Sequence, residues 1–138
     1  MPDTTEMDLS QYRLERAGEM LRTARRDLEA GDYASANNRA YYCIFHAMRA
    51  TLALTGEDYK KHSGVISRFS EQYLKTRRLP PELSRVISMA SIIRNRSDYE
   101  EFYICSIADT EKLVADAAQF LQTVTEFLQT QYQEESKS

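Results

Sequence analysis

The sequence predicts an all-α fold, and three observations carry the prediction. Apolar residues recur at three- and four-residue steps through most of the chain. Only four Gly and three Pro are present to break helices. No segment shows the alternating apolar and polar pattern of a half-buried strand. At 138 residues the chain closes one hydrophobic core rather than two. A single helical domain over 9–131 is therefore expected, with a disordered tail at 1–8 and a frayed one at 132–138.

Leu14, Ala17, Leu21, Ala24 and Leu28 fall on one face of a first helix from Leu9 to Ala30. Gly31 suits the left-handed position after it, and Asp32 can cap the next helix. That second helix, Tyr33 to Leu54, carries Tyr41, Tyr42, Ile44, Phe45, Met48 and Leu52 on more than one stripe, the pattern of a central helix packed from two sides. Thr55-Gly56 stops it, and Glu57 to Lys61 reads as a loop. A shorter third helix runs from His62 or Ser63 to Leu74 through Val65, Ile66, Phe69 and Tyr73, with Lys75, Arg77 and Arg78 at its C-terminal end, where the helix dipole favours cations.

Pro80-Pro81 breaks the chain, and Pro81 fits the first turn of a fourth helix carrying Leu83, Val86, Ile87, Ala90 and Ile93 and ending near Arg96. Tyr99 to Ile104 reads as an extended connector. Ser106-Ile107-Ala108-Asp109 is a capping box opening the last helix. Leu113, Val114, Ala117, Phe120, Leu121, Val124, Phe127 and Leu128 give that helix two apolar stripes, one more than a bundle contact needs, and a homodimer is expected to bury the second.

Composition limits the function classes. Apolar residues at 42% and charged ones at 28% match an ordinary globular protein. No apolar run approaches a membrane span, and Met1 to Asp8 lacks a basic-then-apolar signal, so no membrane role and a cytoplasmic protein are expected. Cys43 and Cys105 belong to no metal-ligand pattern and read as reduced, buried thiols; neither a metal nor a cofactor is expected. The net charge of -3 is uneven: residues 1–97 hold 16 Lys/Arg against 12 Asp/Glu, and 98–138 hold 2 against 9. The clusters Arg22, Arg25, Arg26 and Lys75, Arg77, Arg78 could contact phosphates, or be ordinary solvated helix faces.

Two constellations could carry chemistry. On the fourth helix the stripe Leu83, Ile87, Ala90 continues at Arg94, placing a guanidinium where an apolar residue is expected. Asp98 lies one turn on, and Arg94-Asn95-Arg96-Ser97-Asp98-Tyr99 gathers two cations, a carboxylate and a phenol. Arg94, Arg96, Asp98 and Tyr99 are thus the candidate catalytic or phosphate-binding residues, since a guanidinium matches phosphate oxygens as a planar fork. The competing reading is an Arg94–Asp98 pair that locks the helix end. On the second helix Arg39, Tyr42, His46 and Arg49, with Asn38 beside the first, form a polar face that either lines a cleft or bonds across the core. His46 is placed for acid or base work or for a bond to a neighbour within the bundle, and His62 is a cap or loop residue.

Asn38-Arg39-Ala40-Tyr41-Tyr42-Cys43-Ile44-Phe45-His46-Ala47, then Lys61-His62-Ser63-Gly64-Val65, then Arg94-Asn95-Arg96-Ser97-Asp98-Tyr99, resemble HEPN domains (higher eukaryotes and prokaryotes nucleotide-binding), in particular the short stand-alone prokaryotic branch. The resemblance spans about residues 9–130. It implies an up-and-down bundle of four main helices plus a shorter one, usually dimeric. It also implies kinship with metal-independent ribonucleases, often toxins paired with a minimal nucleotidyltransferase antitoxin. Their motif is an arginine followed four to six residues later by a histidine, brought together across the dimer. Arg94 matches the arginine, but no histidine follows it in this chain.

Three readings stand. The first is a HEPN protein binding RNA, a nucleotide or a nucleotidyltransferase partner in a toxin–antitoxin or defence setting, with a degenerate nuclease motif. The second is an active metal-independent endoribonuclease toxin built around Arg94. The third is a purely structural helical dimer.

Overall fold

The computed structural model describes residues 4–100 and 105–137, with the side chains of Thr4, Asp98, Ser136 and Lys137 outside the description. It contains α1 (Thr4–Glu29), α2 (Tyr33–Ala53), α3 (His62–Phe69), a π-helical turn (Ser70–Leu74), α4 (Leu83–Tyr99) and α5 (Ile107–Lys137), and no strand among the described residues. The helix ends follow local chemistry. Gly31 adopts φ 81°, and the Asp32 carboxylate accepts from the Ser35 amide at 3.2 Å to open α2. Ser106 Oγ accepts from the Asp109 amide at 3.0 Å to open α5.

Helix α2 is the central element and packs against α1, α3, α4 and α5. Its apolar residues therefore need more than one stripe: Ala40, Cys43, Ile44, Ala47, Met48 and Leu52 are all buried. Phe69, Tyr73, Phe120 and Leu128 close the core from the other helices. The Cys43 thiol lies 3.9 Å from the Ala117 carbonyl that it faces, and burial pushes its pKa up to about 12. It is a packing group, not a nucleophile.

Several expectations need correction. Helix α1 begins at Thr4 rather than Leu9, and α5 continues to Lys137 rather than losing order after Gln131. The reason is one contact: buried Ser10 donates to the Ala50 carbonyl at 2.7 Å and meets the Tyr132 hydroxyl at 2.6 Å, tying the two chain ends to α2. Pro81 lies in the turn before α4, not in its first turn. The third helix divides at Phe69, where a π-helical turn carries it to Leu74. Both stripes of α5 pack on the chain's own core, with Leu121 and Phe127 partly buried against it. Exposed apolar side chains lie instead on α4, where Met89 is 49% and Ile92 52% exposed, and on α1 at Leu9 and Tyr12.

Helix α4 also runs on through Tyr99, past the predicted end near Arg96, and Glu100 is extended. The remainder of the predicted connector, 101–104, lies outside the described residues. No helix of the described residues is long and apolar enough to cross a membrane.

Candidate functional site

The site is built where the first half of α2 meets the last turns of α4 and the start of α3. Arg94, half-buried, holds its guanidinium 4.9 Å above the Tyr41 ring and 5.9 Å from the Tyr42 ring. A cation over an aromatic face gains from the ring quadrupole, and the α2 aromatics here fix where the guanidinium rests. This helps to explain an arginine on the core stripe: the Tyr41 and Tyr42 rings offer it a π-electron surface. The predicted Arg94–Asp98 pair concerns a side chain outside the described residues.

His62, the first residue of α3, completes the group. Its Nδ1 lies 2.9 Å from the Tyr41 hydroxyl, and its ring stacks on Phe45 at 4.1 Å and on Tyr41 at 5.7 Å. The Tyr42 ring meets it edge-on at 5.9 Å. Burial lowers the His62 pKa, and the charges of Arg94 and Arg49 lower it further, so the imidazole is neutral at pH 7. Tyr41 thus carries Arg94 over its ring and His62 at its hydroxyl.

The loop that delivers His62 is held by ions. Asp58 binds Arg13 at 3.2 Å and Arg49 at 3.2 Å, while Arg13 also donates to the Arg49 carbonyl at 3.3 Å. Partial burial works against ionisation of Asp58, but Arg13 and Arg49 outweigh it and hold the carboxyl below its usual range. Next to it, Glu57 binds Arg68 at 2.6 Å. The loop is therefore clamped to α1, α2 and α3, which aims His62 at Tyr41.

The other candidates divide. Asn38 and Arg39 line a cleft of about 280 Å³ together with Asn37, Arg94 and Ser97. Tyr42 is part of the ring cluster. His46, half-buried, lies 6.1 Å from the Tyr42 ring centre, and its Nδ1 has no hydrogen-bond partner among the described residues. Burial, then Arg16, Arg49, Arg13 and His62, push its pKa down to about 4. Arg96 does not converge with Arg94: residues two apart on a helix face different ways, and Arg96 binds Glu100 at 3.2 Å. Tyr99 is 85% exposed at the end of α4, away from the rings.

Tyr41 was missed as a site residue because its position in an apolar helix reads as core. His62 was read as a cap or loop residue, yet Lys61 holds the N-cap position without a side-chain bond. Among the described residues no three His, Cys, Asp or Glu side chains are grouped to hold a metal ion.

The comparisons agree with this architecture. The family description HEPN domain matches residues 10–128. A UPF0332 protein of Gloeobacter violaceus is 34% identical over 116 residues, covering 83% of this chain and 92% of its own. A UPF0332 protein of Thermotoga maritima is 29% identical over 119 residues, covering 86% and 90%. A protein of Methanocaldococcus jannaschii named "putative toxin" is 29% identical over 116 residues, covering 79% of each chain. With four α-helices packed on a central α2 among the described residues and a family match over most of its length, the chain belongs to the HEPN domain family.

Proposed function

We propose that this HEPN protein binds single-stranded RNA at the Arg94–Tyr41–His62 group and cleaves it slowly using its own side chains, in a toxin setting. The observation that carries the reading is the shared ring: Arg94 lies over Tyr41, and His62 bonds its hydroxyl. The motif histidine absent after Arg94 in sequence thus has a counterpart in space. Names of two relatives as putative toxins support the setting.

In this reading Arg94 holds the non-bridging phosphate oxygens. Neutral His62 takes the proton of the ribose 2′-hydroxyl, the 2′-oxygen attacks phosphorus, and the bond to the 5′-oxygen breaks. The leaving 5′-alkoxide takes its proton from water, because His46, with its pKa near 4, carries no proton to give at pH 7. A missing general acid costs about 10²–10⁴-fold, so turnover is slow. Exposed Lys60 and Lys61 beside His62 add attraction for the flanking backbone.

The exposed Met89 and Ile92 supply the contact for a homodimer, on the face of α4 opposite Arg94. The binding test is fluorescence anisotropy of a labelled single-stranded RNA at several salt concentrations. Wild type binds with a negative salt slope, and Arg94→Ala weakens binding about 10-fold. Equal affinity of the two proteins would remove Arg94 from the site.

A further inference from the structure

We infer that the cleft between the first turns of α2 and the last turn of α4 is a subsite for one nucleobase, read by Asn37. The inference rests on the RNA reading above and adds to it a pocket for the base flanking the bound phosphate. Asn37 is 3% exposed and forms the buried part of a lining that also includes Ser35, Asn38, Arg39, Arg94 and Ser97.

The hydrogen bonds fix the orientation of the Asn37 carboxamide. The Thr110 hydroxyl donates to the Ser106 carbonyl at 3.0 Å, so its oxygen is left to accept, and it accepts from Asn37 Nδ2 at 3.2 Å. Asn37 Oδ1 therefore faces away from Thr110, and it accepts no hydrogen bond among the described residues. A buried acceptor without a donor is costly, and Asn37 belongs to the lining of the cleft, so a donor that enters there and reaches Oδ1 would offset that cost.

A nucleobase fits the cleft in chemistry and size. Each of the four bases carries an amino or imino N–H for Oδ1, and acceptors that Arg39 at the rim can meet. The cleft, at about 280 Å³, falls just below the roughly 300–1,000 Å³ of small-molecule sites, suiting one base rather than a longer ligand. Arg94 belongs both to this lining and to the Tyr41 stack, so base and phosphate of one nucleotide are spanned by adjacent groups.

The test is isothermal titration of wild type with the four nucleoside 5′-monophosphates and with ribose 5-phosphate, which carries the phosphate and sugar without a base. At least one nucleotide binds about 10-fold more tightly than ribose 5-phosphate, the loss expected for one unmade hydrogen bond in a buried site. Asn37→Ala abolishes that difference, and Arg39→Gln, a rim change that leaves the core untouched, reduces it. Arg94→Ala weakens nucleotides and ribose 5-phosphate alike. Equal binding of nucleotides and ribose 5-phosphate to wild type overturns the base subsite while leaving the phosphate site standing. Failure of wild type to bind either probe or an RNA oligomer overturns the RNA reading, and the subsite with it.

Discussion

The two histidines sit in the same aromatic cluster, and only His62 makes a hydrogen bond to a ring that also carries the arginine. His62 shares Tyr41 with Arg94, whereas His46 faces Arg16, Arg49 and Arg13. Spacing along α2 made His46 legible as a site residue, because Arg39, Tyr42, His46 and Arg49 follow the helical repeat. His62 was hidden by the opposite circumstance: 21 residues separate it from Tyr41, and a folded loop supplies the proximity that no periodicity encodes. Both pKa values are lowered in the fold, His46 from 6.5 to about 4. Below pH 6.5 the unfolded chain therefore binds protons that the native one refuses. The stability contributed by neutral His46 is complete above about pH 6.5 and is lost as pH falls toward 4. Denaturant titrations between pH 7.5 and 4.5 are expected to show a falling midpoint in wild type and a shallower fall in His46→Gln.

At the scale of elements, the helices were legible almost throughout, because a 3.6-residue repeat and strong stop signals at Gly31, Thr55-Gly56 and Pro80-Pro81 act locally. Asp32 and Ser106 cap where their sequence contexts predict. What was not legible depended on contacts between distant segments: the Ser10–Tyr132 bond that extends both terminal helices, and the packing that occupies both faces of α5. The turn after Leu74 is a further case. Arg77 adopts φ 61°, and the Leu79 amide donates to the Tyr73 carbonyl at 2.9 Å, a left-handed helix termination made without glycine. A non-glycine residue there costs roughly 1 kcal/mol, so Arg77→Gly is expected to raise stability by about that amount. Ser10→Ala is expected to lower it by about 1–3 kcal/mol, since it removes a buried hydroxyl that bonds both the Ala50 carbonyl and the Tyr132 hydroxyl. Thermal or urea unfolding of the two variants beside wild type checks both signs.

For the whole molecule, charge and shape divide the work. Six of the nine acidic residues of 98–138 lie on α5, while the ring cluster, the cleft and the Asp58 clamp gather on α2 and its neighbours. Helix α4 carries Arg94 on its packed side and Met89 with Ile92 on its exposed side, so one helix serves both the site and the proposed dimer contact. Light scattering is expected to give a dimer for wild type at micromolar concentration and a monomer for Ile92→Glu, whose circular dichroism stays helical. A wild-type monomer would remove the dimer from the account.

The central claim is that Arg94, Tyr41 and His62 act together on an RNA phosphodiester. The most direct measurement is cleavage of a labelled single-stranded RNA in EDTA by wild type and by His62→Ala, with the new ends identified by mass spectrometry. Wild type is predicted to produce 2′,3′-cyclic phosphate ends slowly, and His62→Ala to be slower by about 10² or more. No cleavage by wild type, cleavage that appears only with added magnesium, or equal rates for the two proteins would contradict the claim.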